Sequence, residues 1–231
     1  MAGWEKVKLS DIAFITSSKR IFAREYQKEG IPFYRGKEII EKHKGNSVST
    51  ELFISYERYE EIKNKFGVPR LGDILLSSVG TLGVPWLVDE EEFYFKDGNL
   101  TWLRCNDKIM PDFLYLWLNS VEAKNQIHTK CIGSTQKALT IDTLNKFEVT
   151  LPSLDEQVKI CKIIIPISKK IEKNRGINKN LHVLRAMRIR IHKETRQASL
   201  QAELYGYGFM ARQRDMSKTV VLRITPLVEA A

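Results

Sequence analysis

The sequence is poor in the residues on which hydrolytic and metal-dependent enzymes rely. Its four histidines, His43, His128, His182 and His192, are scattered, and each reads more simply as a surface residue than as a ligand. Three isolated cysteines, Cys105, Cys131 and Cys161, fit neither a zinc spacing nor a disulfide framework, which suits a reducing cytosol and an expected cytoplasmic location. No apolar run reaches the ~18 residues of a membrane span, and the opening residues Met1 to Asp11 carry no apolar signal core, so no membrane association is expected. There is no P-loop, no dinucleotide-binding glycine pattern, no His-based zinc site and no glycine-rich loop for S-adenosylmethionine. The Gly80-Thr81-Leu82-Gly83 turn lacks a following lysine, and the acidic run Asp89 to Glu92 reads as a solvated turn rather than a metal cluster. The expectation is a protein that binds rather than catalyses, with no metal and no cofactor.

What the chain does have is enough apolar mass for a core. Of 231 residues, 43% are hydrophobic, with ten Phe, eight Tyr and four Trp, which rules out a disordered chain. The net charge of +9 points to a polyanionic partner, either nucleic acid or an anionic surface, or to a merely lysine-rich soluble protein. The excess is uneven. Residues 176–231 hold ten Lys/Arg and four Asp/Glu, whereas residues 1–175 hold 27 and 24, so the front of the chain is nearly balanced.

Residues 1–153 mix short strand-like and helical runs, the pattern of a mixed α/β domain. Leu9 to Ile15 begins as a turn and enters a strand, and Ile31 to Arg35 is extended because Pro32 fixes its own φ and restricts Ile31. Glu57 to Phe66 reads as a helix ended by Gly67-Val68-Pro69. A buried strand lies within Leu71 to Gly83, and Val84–Val88 with Glu92–Lys96 suggests a hairpin across Asp89-Glu90-Glu91. Leu100 to Arg104 is a further strand, Pro111 to Ile127 a single amphipathic helix, and Phe147 to Leu151 a closing strand.

After Pro152 the texture changes. Ser153 and Glu156 have capping-box spacing and open a long helix over 154–190. Within it Ile160, Ile164, Ile167, Ile171, Asn174, Asn178 and Leu181 repeat at alternating steps of four and three, a heptad seam with two asparagines that would set pairing register. An amphipathic helix packed on its own domain is the competing reading. Pro166 removes a backbone donor and is expected to kink or restart the helix near Ile163. Residues 191–231 form a basic tail with no usable period. The expected class is α+β: a mixed domain followed by a long coiled-coil-forming helix.

Three stretches carry a family likeness: Gly30–Ile39 (GIPFYRGKEI), Gly72–Gly83 (GDILLSSVGTLG), and Gly133–Thr140 (GSTQKALT) with Phe147–Gln157 (FEVTLPSLDEQ). In this order, followed by a long helix, they resemble the target recognition domain of type I restriction-modification specificity subunits, over residues 4 to about 181. The resemblance implies double-stranded DNA as the ligand, one half of a split target read by this domain, and the helix as a spacer. It also implies that separate methyltransferase and restriction subunits dock on the chain and supply all catalysis. The usual family member carries two such domains and two helices. One of each implies a half-subunit that pairs with a second copy through the helix to read a palindromic split site. The alternative is a truncated or silent cassette protein acting only as an interaction scaffold. The tail from Val183 onward does not resemble the family.

Sequence readout needs side chains at base edges, while phosphate contacts give position and salt-dependent affinity. The candidate DNA-binding residues are Lys19 and Arg20 in the loop from Thr16 to Arg24, then Tyr34, Arg35 and Lys37 in the first motif. Ser77, Ser78 and Thr81 in the glycine turn, and Ser134, Thr135, Gln136 and Lys137 after Gly133, complete the set. Gln136 suits a bidentate pair with adenine and Arg35 one with guanine. Gly72, Gly80 and Gly83 read as turn formers, and Thr135 and Gln136 equally fit loop capping.

Overall fold

A four-residue strand, β5 (Ile74–Ser77), is buried on both faces and organises the domain. The computed structural model describes residues 3–48, 50–131 and 138–204. Because side chains alternate along a strand, Ile74 and Leu76 enter one apolar cluster and Leu75 enters another. A strand covered on both sides loses polar alternation, which is why this stretch reads as a continuous apolar run. It sits inside an antiparallel sheet ordered β2-β8-β5-β6, formed with β2 (Ala13–Thr16), β6 (Pro85–Leu87) and β8 (Leu100–Cys105).

A second sheet, ordered β4-β3-β7, comprises β3 (Ile31–Tyr34), β4 (Phe53–Ile54) and β7 (Tyr94–Phe95). Its β3 and β7 run parallel, with Phe33 opposite Tyr94 and Tyr34 opposite Phe95. The same alternation divides them: Phe33 and Tyr94 pack with Ile62 of α2 (Tyr56–Phe66), and Tyr34 and Phe95 pack with Ile39 of α1 (Gly36–His43). The N-terminal β1 (Glu5–Lys8) pairs with β9 (Glu148–Leu151), closing the domain just before the long helix.

Several elements depart from the sequence reading. The hairpin across Asp89–Glu91 is absent: β6 joins β5 while β7 crosses to β3, where Tyr94 enters the cluster under α2 and Phe95 the cluster under α1. The single helix expected over 111–127 is two, α3 (Pro111–Leu118) and α4 (Val121–Cys131). Asn119 Nδ2 donates back to the Tyr115 carbonyl and Ser120 Oγ accepts from Ala123 N–H, so the side chains stop one helix and cap the next. Helix α1 and the short α5 (Ile141–Asn145) were not expected as helices.

Helix α6 (Leu154–Leu204) opens with the expected capping box: Glu156 N–H donates to Ser153 Oγ, and Ser153 N–H to the Glu156 carboxylate. It continues past residue 190 and is not interrupted at Pro166. The missing N–H deprives the Lys162 carbonyl of its helical partner, but Lys162 is exposed and water can take that place. The base of the helix is fixed by fully buried Gln157, whose Oε1 accepts from Met110 N–H at 2.8 Å and whose Nε2 donates to the Lys108 and Pro152 carbonyls at 3.1 and 3.0 Å. The chain divides into two compact units, Met1–Gly176 and Ile177–Ala231; of the second, the described residues 177–204 are helical throughout. Among the described residues no helix is long and apolar enough to cross a membrane.

Gly30 has φ +131°, and a Cβ there would lie 2.3 Å from the Ile54 carbonyl oxygen. Gly36, at the start of α1, has open space and no such strain. Gly30→Ala is therefore expected to lower unfolding free energy by about 2–4 kcal/mol. Gly36→Ala should leave stability unchanged or raise it by up to ~1 kcal/mol. Urea denaturation of the two variants beside the parent checks both.

Candidate nucleic-acid interface

Three connections converge at one end of the doubly buried strand, and hydrogen bonds tie them to one another. Ser78 N–H donates to the Asn99 carbonyl at 2.8 Å, which joins the glycine turn after β5 to the turn between β7 and β8. Ser17 Oγ donates to the Leu100 carbonyl at 3.4 Å, and Lys19 N–H to the Tyr94 hydroxyl at 2.7 Å, which brings the loop after β2 to the same place. Burial pushes the Tyr94 phenol up to about 12, against the opposing pull of the Lys19 N–H donated to its oxygen, so it stays protonated and anchors the loop. Leu139 N–H donates to the Ser78 carbonyl at 2.9 Å and Ala138 bridges Val79. The third motif thus leads directly into the glycine turn. Ser134, Thr135, Gln136 and Lys137 themselves lie outside the described residues.

The expected contact residues separate into two groups. Lys19, Arg20, Lys37 and Thr81 are exposed. Arg20 holds Asp97 at 2.8 Å with its side chain 69% exposed, and the Lys19 ammonium stands 4.3 Å over the exposed Phe66 ring. Tyr34, Ser77 and Ser78 are buried, which corrects their assignment as contacts. Tyr34 donates its hydroxyl to Glu91 at 2.8 Å and stacks on Phe93, and burial followed by that carboxylate raises its pKa. Ser77 Oγ donates to the Thr81 carbonyl and accepts from Val84 N–H, so it shapes the turn from inside. Ser78 Oγ shares a hydrogen bond with Thr101 Oγ1. Small hydroxyl residues at the end of an apolar strand satisfy that strand's last polar groups, a role sequence cannot separate from contact with a ligand.

Arg35 is half-buried and tightly held. Its backbone N–H and guanidinium both donate to Glu38, at 2.9 Å (N to Oε2) and 2.8 Å (Nη2 to Oε1), with Nε 3.4 Å from Oε2. Glu38 is 1% exposed. Burial by itself pushes this carboxyl up, and the Arg35 hydrogen bonds more than reverse that, leaving it below the usual glutamate range. The Tyr34 carbonyl beside Arg35 accepts from Lys96 N–H at 2.9 Å, linking this residue to the Lys96–Asn99 turn. That turn was missed from sequence as part of the site, although its Asp97-Gly98 pair, with Gly98 at φ +71°, is a turn signal.

The helical stripe is also divided. Ile164, Ile167, Ile171 and Leu181 are 41–56% exposed, and Asn174 and Asn178 are exposed. Ile160 instead packs against the domain core beside buried Cys161, so it leaves the proposed seam. The domain already closes over the first two turns of α6, and only the later turns keep a free apolar face.

The family model described as the type I restriction modification DNA specificity domain matches residues 1–183. A Haemophilus influenzae protein assigned as a type I restriction enzyme specificity subunit is 33% identical over 159 residues, 68% of this chain and 38% of that protein. Among solved structures, the S subunit of a type I system from M. genitalium aligns with TM-score 0.55 at 19% identity, over 80% of this chain and 44% of that one. The HsdS subunit from Thermoanaerobacter tengcongensis aligns with TM-score 0.54 at 20% identity, over 74% and 38%. A chain from a type I restriction-modification assembly gives 0.58 at 22% identity, over 74% and 40%. These structures share the fold, and the chain spans 38% to 44% of the length of each of these relatives.

The buried Glu38 makes a specific pH prediction. Its folded-state pKa lies below the ordinary 4.5, so its contribution to stability is present above that value and is lost as pH falls through the lower, folded-state one. The gap in urea midpoint between the parent and Glu38→Gln should be full at neutral pH and should shrink on acidification below 4.5. A gap that did not change with pH would contradict a paired, ionised Glu38.

Proposed function

The chain belongs to the family of type I restriction-modification DNA specificity domains, and we propose that it reads one half of a bipartite double-stranded DNA target as the specificity subunit of a type I complex. The observation that carries this reading is the convergence of the loops at 16–20, 78–83 and 96–99, with Arg35 alongside, on one end of a rigid sheet. Exposed Lys19, Arg20, Lys37 and Thr81 suit the work of an interface, while the buried hydroxyls and Gln157 keep its frame fixed. In the Arg20–Asp97 pair the arginine is exposed while Asp97 is largely covered, so the guanidinium is the partner able to turn toward a phosphate oxygen. Ser134 to Lys137, which precede Ala138 in the sequence, belong to the proposed contact set.

In this reading the protein itself performs no chemistry. Methyltransferase and restriction subunits dock on it, methylate or cleave, and the complex works in the cytoplasm. The exposed Ile164, Ile167, Ile171 and Leu181, with Asn174 and Asn178 between them, form the face through which a second copy pairs, so that two recognition domains read two half-sites. The domain limits follow: residues 1–153 read DNA, the helix from 154 pairs and spaces, and the basic segment 191–231 has no assigned part.

Two measurements test this. On duplex DNA the full chain, alone or with its methyltransferase partner, should protect a short split sequence. Raising salt from ~50 to ~200 mM should weaken binding about a thousandfold or more, as expected for several phosphate contacts. Binding that ignored sequence with the partner present would leave only the scaffold reading. In solution the parent should sediment as a dimer, and Ile164→Asp with Ile171→Asp should give a folded monomer; a monomeric parent would count against pairing.

A further inference from the structure

Arginine is a poor residue to place where Arg35 stands. It occupies the N-cap of α1, a position that favours Ser, Thr, Asp or Asn, and its positive charge sits at the positive end of the helix dipole. Nothing in helix stability calls for it. Yet the chain fixes this side chain with a carboxylate that is 1% exposed, and an unpaired carboxylate so deeply buried would be strongly destabilising. The pair is therefore held together: Glu38 needs Arg35, and Arg35 has a single orientation imposed on it.

The donor inventory gives that orientation a use. A guanidinium has five N–H groups in one plane. Glu38 takes the Nε side, through Nε and one proton of Nη2. Both protons of Nη1 and the outer proton of Nη2 are left; one of the Nη1 protons and that outer Nη2 proton form the end-on edge. The Arg35 side chain keeps 35% of its surface in solvent. Two parallel donors on a planar, immobilised edge match the O6 and N7 acceptors of guanine in the major groove. A phosphate contact needs only charge, and neighbouring Lys37 supplies that without any such clamp.

We propose that Arg35 reads a guanine through its end-on edge and that Glu38 is the positioning residue that sets its angle. This rests on the DNA-reading function above and adds the base class and the device that selects it. Glu38 touches no DNA; it acts by removing the rotamer freedom that would let the arginine reach a phosphate or a second base.

Selection from a randomised double-stranded DNA library, with the full chain and its variants, tests the proposal. The parent should enrich a split site containing at least one invariant guanine. Arg35→Lys keeps the charge but loses the planar edge. It should cut the preference at one guanine position about ten- to a hundredfold, leaving the other positions and the salt dependence unchanged. Glu38→Gln keeps an acceptor for the Arg35 N–H but weakens the guanidinium clamp; it should blur the same position and add nothing further to Arg35→Lys. Thermal melting checks that each variant is folded, and should Glu38→Gln unfold, Arg35→Lys decides alone. Uniform loss across all positions in Arg35→Lys makes Arg35 a phosphate contact and overturns the proposal while leaving the DNA-reading function intact. An unchanged preference in folded Glu38→Gln overturns the positioning role. A parent that enriches nothing removes the DNA-reading function itself, and the inference with it.

Discussion

The double-sided burial of β5 is the constraint from which the rest of the domain follows. Ile74, Leu75 and Leu76 are all fully buried, and each such side chain contributes about 1.5–3 kcal/mol by leaving water. Covering both faces requires one layer from α3, α4 and the base of α6, and another from α1, Trp86, Phe95 and Trp102. A strand held from both sides cannot shift register without driving Leu75 into the wrong cluster. Its end, Ser77-Ser78, is thereby fixed, and so is the turn that departs from it. Loops carry function best when a rigid frame aims them, and here the frame is one strand with no free face.

Electrostatics divide along the same line between frame and surface. Exposed pairs such as Lys63–Glu60 and Lys65–Glu61 on α2 contribute little and are screened by salt. The Glu38–Arg35 pair differs because one partner is desolvated, so its geometry is enforced by the cost of separating it. Tyr34 makes a similar contrast with Tyr94. Both phenols are buried, but one is tied to Glu91 and braces α1 against the 89–91 turn, while the other receives the Lys19 backbone and braces the candidate interface.

The long helix belongs to both regimes. Its first turns are anchored in the globule through Gln157 and Cys161, both of which are buried. Beyond them, isoleucines recur with the same spacing but face solvent. Apolar side chains repeatedly exposed on one helical face are unfavourable in an isolated protein and become favourable once paired. The change from buried to exposed along a single period marks where the domain stops covering the helix, and the exposed part is the face on which the proposed pairing rests.

By itself, the sequence determined the order of most elements and the family, because alternation, capping pairs and turn glycines are local signals. Ser153 with Glu156 opened α6 and Gly67 closed α2, and the three motif stretches carried the likeness over residues 4 to about 181, where the family model matches 1–183. It also identified the isoleucine period, though not that Ile160 is inside and Ile164 outside, since a heptad repeats whether or not a neighbouring domain covers part of it. Tertiary structure alone decided which hydroxyls and rings are interior: Ser77, Ser78 and Tyr34 look like contact residues in a motif and are buried, Ser78 and Tyr34 against partners 23 and 57 positions away. It alone sent β7 to β3 rather than to β6, and placed the Lys96–Asn99 turn beside the glycine turn. Such contacts are long-range, and a residue's burial depends on what the rest of the chain brings to it, which no local spacing records.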